Sequence, residues 1–335
     1  MNTQIQTKIF ILNRRLFFGI WFFAISCFTG LSCKKDFISL PVFREISVPV
    51  SGDDLTSVWF SDSLHGVVTG GVIWERGFVL STANGGETWQ TDTLLGKRME
   101  CVMFDAGGQA YVCGQDGLVL HRPPGLRWWY PLRVDFCWNR GCYFWDRRRG
   151  VVVAGEGFQG GQARKLGPEA LWIVDTLVPF PNALSAVWYS DSATVHAAGL
   201  GYVLRSTDGG RHWMRHNITG DFFLSIHFPT PSTGYICGSG GTILKTTNSG
   251  LSWQTIRKGG SLGGKNRPFR AIWFSSAEKG YLVGDDGLFW RTENGGADWT
   301  ALAGLPGDAD ATDVFVLGNR GWITGLRGKL FYFEE

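Results

Sequence analysis

Residues 201–213 read GYVLRSTDGGRHW, and the pattern of this stretch returns along most of the chain. Gly201 is followed twelve residues later by Trp213, with a short apolar run and then Ser-x-Asp-x-Gly between them. Three more copies keep these features, at residues 77–89, 241–253 and 287–299. Weaker copies keep only part of the pattern, at residues 117–129, 160–172 and 328–335. Self-similarity at a period of about 40 residues indicates an array or a propeller.

Each strong copy predicts two strands joined by a tight turn. The Asp or Asn can bond backbone amides two residues on, the Gly accepts a positive φ, and the Trp fills the apolar layer. The motif resembles the Asp-box, or BNR, repeat, whose residues lock turns far from the active centre. We therefore interpret these residues as structural: Thr82, Asn84, Gly86, Trp89, Ser206, Asp208, Gly210, Trp213, Thr246, Asn248, Gly250, Trp253, Thr292, Asn294, Gly296 and Trp299.

The composition fits a large all-β repeat protein. The 335 residues are 44% hydrophobic and 14% aromatic, with 47 Gly and 16 Trp, which is ample for one large core. The formal charge is +3, but residues 1–32 carry three basic residues and no acid, so the remainder is formally neutral. A near-neutral domain argues against a nucleic-acid partner.

The N-terminus predicts export and lipidation. A basic segment is followed by an apolar stretch at residues 16–32, which is short for a spanning helix, and then directly by Cys33. The pattern resembles a bacterial lipoprotein signal with Cys33 as the lipidated residue, and residues 33–36 resemble the start of many Bacteroidetes lipoproteins. Cys27, an uncleaved anchor and a non-lipidated signal peptide are the alternatives. Each of them places the domain outside the cytoplasm.

Two further strands precede each Gly-to-Trp unit. The second of them ends in a small residue followed by Gly, as in Thr69-Gly70 and Cys237-Gly238. The first begins at or near residues 57, 101, 142, 186, 225, 271 and 313. Each repeat is then a four-stranded antiparallel meander, and seven meanders predict a seven-bladed β-propeller.

The last repeat lacks a fourth strand, because the sequence stops soon after residues 329–333. Residues 44–50 are typical of a lone strand, and we expect them to supply the missing outer strand and close the ring. Closure removes the sheet edges that a linear array would expose. The predicted organisation is a signal peptide at 1–32, a lipid-anchored tether at 33–43 and the propeller at 44–335.

Several cysteines fall at equivalent positions of the repeats. Cys101 and Cys142 are assigned to one position of the innermost strand, and Cys113 and Cys237 to one position of the second strand. Both positions favour small buried side chains. Cys101 and Cys113 face each other across one hairpin and are a candidate disulfide, with Cys137 and Cys142 as a second pair. No His lies at ligand spacing, so we expect no metal and no cofactor.

One position carries basic residues in four successive repeats: Arg164, Arg205, Lys245 and Arg291. One interpretation is that their stems pack over aromatic residues of the next blade. The alternative is an arc of positive charge that docks an acidic segment of a partner.

The combined pattern, clearest at residues 234–253 and 280–299, resembles the photosystem II assembly and stability factor family of chloroplasts and cyanobacteria. The resemblance covers nearly all of residues 45–335 and implies a non-catalytic assembly scaffold. We expect a monomer that is anchored to a membrane by lipid and binds a protein or a glycan. A glycan-active enzyme or a passive glycan-binding module is the alternative. An enzyme is less favoured because Arg-Ile-Pro, typical of sialidases, is missing, and Asp285 and Asp286 are adjacent and diverge.

Overall fold

Antiparallel strands make up nearly all the regular structure of the protein, for which we use a computed structural model. It describes residues 41–50, 52–133, 135–167, 174–259, 267–302 and 304–334. The predicted signal peptide, Cys27 and Cys33 lie outside these residues. Within the described ranges one short 3-10 helix, Pro306–Asp308, interrupts the strands. No helix in this part of the chain is long and apolar enough to cross a membrane.

Three four-stranded sheets come first, with their strands in chain order. The first contains β2 (Asp54–Phe60), β3 (Gly66–Val72), β4 (Arg76–Thr82) and β5 (Gln90–Leu95). The second contains β6 (Met99–Phe104), β7 (Ala110–Gly114), β8 (Leu118–Arg122) and β9 (Tyr130–Arg133). The third contains β10 (Asn139–Asp146), β11 (Arg149–Glu156), β12 (Gln159–Leu166) and β13 (Val174–Asn182).

Three further sheets complete the described part of the chain. A six-stranded sheet contains β14 (Leu184–Tyr189), β15 (Val195–Ser206), β16 (Met214–His227), β17 (Gly234–Gly238), β18 (Ile243–Thr246) and β19 (Gln254–Arg257). The next contains β20 (Phe269–Phe274), β21 (Gly280–Gly284), β22 (Phe289–Thr292) and β23 (Thr300–Ala301). The last contains β24 (Ala311–Leu317), β25 (Arg320–Gly325), β26 (Leu330–Glu334) and β1 (Val42–Glu45).

The number of sheets differs from the expected seven blades, since hydrogen bonding sorts the described strands into six sheets. The difference arises at β16, which runs through the fourth strand of one expected blade and the first strand of the next, while β15 joins two expected strands of a single blade. Each has a glycine with positive φ near its middle, Gly201 at 79° and Gly220 at 103°. A glycine in this conformation turns the chain without a side-chain clash, so the strand continues where a loop was expected.

The N-terminal strand also lies earlier than expected. The sequence places it at residues 44–50, whereas β1 begins at Val42, inside the predicted tether, and ends at Glu45. β1 is antiparallel to β26, with Val42 opposite Glu334 and Glu45 opposite Phe331. Phe43 fixes this register because its ring lies 5.3 Å from Phe289 and 5.9 Å from Phe333.

The first strands of the repeats surround a central channel. Neighbouring first strands contact each other all the way around, from β2 through β6, β10, β14, β16, β20 and β24 back to β2. Three tryptophans from these strands meet at one end of the channel. The Trp59 ring lies 5.1 Å from Trp273 and 5.9 Å from Trp188, and the last two rings are 5.9 Å apart. They close the end toward which β2 runs.

The Asp-box turns follow β4, β15, β18 and β22 and share one hydrogen-bond pattern. In the first, the Thr82 hydroxyl donates to Asn84 Oδ1 at 2.8 Å and accepts from the Gly86 amide at 3.1 Å. Asn84 Oδ1 also accepts from the amide of Thr88, four residues on rather than the two expected. The same bonds recur from Ser206, Thr246 and Thr292. Each turn follows a strand that runs in the same direction as the first strand of its repeat, so all four turns lie at the closed end of the channel.

We predict that Phe43→Ala destabilises the domain by about 2 kcal/mol, since it removes a partly buried ring from the last sheet. Val42→Ala is the matched control on the same strand, because Val42 is 83% exposed and should change stability by less than about 0.5 kcal/mol. Urea denaturation of both variants measures the difference. Equal stability of the two would show that β1 does not hold the last sheet.

Candidate functional site

A cavity of about 420 Å³ occupies the channel and is lined by first strands of every repeat. At one level the lining residues are small or short, which leaves the space at the axis open. These residues are Ser57, Cys101, Gly141, Ala186, Ser225, Ala271 and Asp313.

Asp313 is the acidic member of this level, and it joins the last sheet to the first. Its Oδ2 accepts a hydrogen bond from the Ser57 hydroxyl at 2.8 Å and one from the Val58 amide at 3.2 Å. The Ser57 hydroxyl accepts in turn from the Val102 amide of the second sheet at 3.3 Å. Burial raises the pKa of Asp313 to about 7, because the charged form loses its hydration.

The open end of the channel is ringed by charged and aromatic side chains. Arg98 Nε donates to Glu100 Oε1 at 2.9 Å, and Trp138 Nε1 donates to the same oxygen at 2.8 Å. Burial raises the pKa of Glu100 above its ordinary value, although Arg98 opposes this. The guanidinium of Arg140 lies 4.5 Å from the centre of the Trp138 ring, and that of Arg98 lies 5.8 Å from it.

Aromatic residues extend from this mouth onto the surface. Trp74 is 43% exposed and lies 5.7 Å from Trp138, while Phe158 is 63% exposed and lies 5.6 Å from Phe222. Arg140 links the two pairs, because its guanidinium also lies 5.8 Å from the Phe222 ring. We call Trp74, Trp138, Phe158 and Phe222 the aromatic rim. The strands that carry or adjoin these four residues belong to three different sheets, so only the folded ring brings the residues together.

The rim is not visible in the repeat pattern. Trp74 and Phe158 lie in loops between second and third strands, and Trp138 and Phe222 lie where a first strand begins. Each has a different residue type at the corresponding point of other repeats. The signal available in the sequence was an aromatic residue within a predicted short loop, because such a side chain has no core to fill.

The basic position is engaged within the ring, starting with Arg164. Its side chain is fully buried, with Nη1 donating to Asn139 Oδ1 at 2.5 Å and an ion pair to Asp135 at 2.7 Å. Arg164 therefore takes no part in the exposed arc that the sequence suggested. Burial inside one sheet, which the sequence cannot show, is the reason.

The other three basic residues also contact the protein itself. Arg205 Nε donates to the Ser249 carbonyl at 2.7 Å, and Lys245 Nζ donates to the Gly295 carbonyl at 2.6 Å. Both acceptors lie in the Asp-box turn of the following repeat. Arg291 pairs with Glu293 at 2.8 Å. These contacts favour the structural interpretation, and Arg205 and Lys245 each fasten the turn of the next repeat.

The structure brings three cysteines together where the sequence paired two. Cys101 and Cys113 lie directly opposite each other on β6 and β7, as expected, and both are free thiols. Cys142 lies one residue beyond its assigned position, which Gly141 occupies instead, so it faces the second sheet. The sulfur atoms of the three cysteines all lie within 4.8 Å of one another.

The buried histidines are poor candidates for proton transfer. Burial lowers the pKa of both His196 and His227 to about 3, which keeps them neutral at physiological pH. Aromatic rings enclose them, with His196 at 4.2 Å from Phe228 and His227 at 4.3 Å from Trp273. Both therefore serve as packed aromatic groups.

Comparison with known proteins supports the architecture. The family model described as photosynthesis system II assembly factor YCF48 matches residues 217–320. YCF48 from Cyanidioschyzon merolae is similar at a TM-score of 0.65 and 17% identity, covering 87% of this chain and 98% of that chain. The fold is a β-propeller.

Two other solved structures show the range of functions on this fold. YCF48 bound to D1 peptide is similar at a TM-score of 0.66 and 17% identity, covering 89% of this chain and 98% of that chain. A catalytically inactive virginiamycin B lyase from Staphylococcus aureus with quinupristin is similar at a TM-score of 0.66 and 10% identity, covering 88% of this chain and 99% of that chain. No curated protein matches the sequence. Such distant similarity supports the fold and leaves the function to be argued from the site.

We predict that Asp313 makes the domain less stable as the pH rises. Its pKa in the folded protein, about 7, exceeds the ordinary 3.8, so the folded state holds a proton that the unfolded state has lost. Stability should therefore fall from about pH 4 up to about pH 7 and then level off. Asp313→Asn removes this dependence.

Urea denaturation at pH 5 and pH 8 tests it. Between pH 5 and pH 8 the free energy of unfolding should fall by about 2 kcal/mol more in the parent than in Asp313→Asn. Glu45→Gln, at an exposed ion pair with Lys329, is the control and should keep the parental slope. An unchanged slope in Asp313→Asn would contradict the prediction.

Proposed function

We propose that the protein is a non-catalytic binding propeller that docks an extended protein segment across the aromatic rim. The observation that carries this proposal is the row of exposed rings at the mouth of the channel, with Trp74 and Phe158 on its outer side. Exposed apolar groups gathered in one place mark interaction surfaces more often than scattered ones do. Aromatic and arginine side chains are also the residues that dominate binding energy at interfaces.

The charges of the rim indicate what the segment carries. Arg140 donates to the carbonyls of Gly155 at 2.9 Å and Gly157 at 2.7 Å, which hold its positive charge at the rim, and the nearby Glu100 and Glu156 offset part of that charge. Lys97 Nζ lies 5.4 Å from the centre of the Trp74 ring. A segment with apolar side chains and a carboxylate would therefore fit, because a carboxylate can pair with either cation.

One structural relative supports a peptide as the occupant. One of the similar propellers is described as bound to a peptide, and the proposed role of this chain is an assembly scaffold of the same kind. A glycan-active enzyme is less favoured. Asp285, one of the two adjacent acids between β21 and β22, is held in a two-point ion pair by Arg270.

We expect Trp74→Ala combined with Phe158→Ala to abolish peptide binding without loss of stability, since both rings are largely outside the core. The probe is a displayed library of random peptides, selected on the immobilised protein and then assayed one by one. Enriched peptides should carry apolar residues and a carboxylate, and they should bind the double variant at least about 10-fold more weakly.

The matched control is Trp128→Ala, because Trp128 is 76% exposed in the loop between β8 and β9, outside the aromatic rim. It should bind the enriched peptides as the parent does. Peptides that bind the parent and the rim variant equally well would place the binding surface elsewhere. If the protein binds glycans on a glycan array and selects no peptides, the glycan-binding alternative is favoured.

We further propose that the protein is held at a membrane outside the cytoplasm by a lipid on Cys33. The support is the sequence of residues 1–33, with a basic start, an apolar stretch and a small residue before the cysteine. The ring begins soon after it, so a short tether would keep the propeller close to the membrane surface. A lipid together with a second attachment is needed for stable anchoring.

We predict that Cys33→Ser moves the full-length protein from the membrane fraction to the supernatant of a bacterial host. Cys27→Ser is the control and should stay with the membranes. Immunoblots of the two fractions measure the distribution. The reverse result would assign the lipid to Cys27, and membrane retention of both variants would indicate an uncleaved anchor.

We also infer that the ring consists of seven repeats closed by the N-terminal strand. The support is the six-stranded sheet, whose two long strands each cover two strands of the repeat, and the pairing of β1 with β26. A docking surface that spans several repeats needs a ring of fixed shape. Closure would provide this shape by removing the free edge of β26.

A further inference from the structure

We propose that Cys101, Cys113 and Cys142 form a metal site that binds one Zn²⁺ through three thiolates at the wall of the channel. Their sulfur atoms lie within 4.8 Å of one another, against the roughly 3.8 Å that separates two sulfur ligands of one tetrahedral Zn²⁺. Zn²⁺ is bound by cysteine sulfur at about 2.3 Å, so the three atoms need only a small adjustment to reach a common ion.

The three ligands are held by strands rather than loops. Cys101 and Cys113 face each other across the β6–β7 pair, and Cys142 comes from β10 of the next sheet. Cys113 is fully buried and Cys142 is 3% exposed, so neither side chain can swing away. A site built on rigid elements keeps its geometry, which favours metal binding over fluctuating thiol contacts.

The channel supplies the access and the open coordination position. The cavity is lined by Cys101 and Cys142, so an ion can reach the sulfur atoms from the mouth. Three protein ligands leave one position of a tetrahedral zinc ion free for water or another oxygen. Glu100 and Asp313 also line the cavity, so carboxyl oxygen atoms are present in the same channel.

Zinc fits this environment for two reasons. Thiolates are soft ligands that select ions such as Zn²⁺ over Mg²⁺ or Ca²⁺. A divalent cation also offsets much of the negative charge that three thiolates would place inside the protein, which a buried site could not otherwise hold. A single disulfide between Cys101 and Cys113 would use two of the sulfurs and would leave Cys142 unexplained.

The test uses the full-length protein, reduced and freed of metal, with Zn²⁺ and Co²⁺ as the probes. One Zn²⁺ should bind per chain and raise the melting temperature, and Co²⁺ should give the absorption band of thiolate coordination. Cys113→Ser and Cys142→Ser should each weaken Zn²⁺ binding by more than about 100-fold. Loss of a residue that only hydrogen-bonds a metal ligand costs less than this.

Cys237→Ser is the matched control. Cys237 is equally buried and holds the same position on β17 as Cys113 holds on β7, but it lies in a different sheet. It should retain Zn²⁺ binding, which separates loss of a ligand from loss of packing. If the two ligand variants fail to fold, the Co²⁺ spectrum of the parent still shows whether thiolates bind the metal.

Two results would overturn the proposal. One is a reduced parent protein that shows no thiolate band with Co²⁺ and no change of melting temperature with Zn²⁺. The other is Zn²⁺ binding that survives in both ligand variants, which would place the ion elsewhere. Isolation of the protein with a Cys101–Cys113 disulfide, followed by no metal uptake after reduction, would also overturn the proposal.

Discussion

Convergence of the first strands on one axis is the constraint on which the rest of this structure depends. At one level the chain can place only small or short side chains there, such as Ser57 and Gly141, and the space that remains is the channel. Further along the same strands the rings of Trp59, Trp188 and Trp273 meet at the axis. A change from small to large residues two positions along a strand therefore sets where the ring is open and where it is closed.

The architecture could be predicted because it repeats. The spacing from Gly to Trp and the hydroxyl of residues such as Thr82 mark one turn four times over, and local hydrogen bonds account for it. The details that differed depend on distant contacts or on backbone dihedrals. Phe43 places β1 through two rings far along the chain, and Gly201 allows β15 to continue where a loop was expected.

The candidate sites show the opposite relation to the repeat. The basic position recurs in four repeats, and its members pair within the protein, with Lys245 bonded to the Gly295 carbonyl of the next repeat. The aromatic rim has no counterpart in other repeats and lies on the surface. Cys142 was misplaced because β10 has a register shift between Asn139 and Gly141, and a shift of one residue turns a side chain to the other face. Periodic features of this chain are thus structural, whereas irregular ones carry the candidate function.

The three tryptophans at the end of the channel have a consequence for exchange with the solvent. A passage stopped at one end is a well, so every ion or water molecule that enters must leave by the same opening. That opening is bordered by Trp138 and Arg140, which also belong to the surface where a partner would lie. Anything seated there acts as a lid, and the contents of the well then change only when the lid departs.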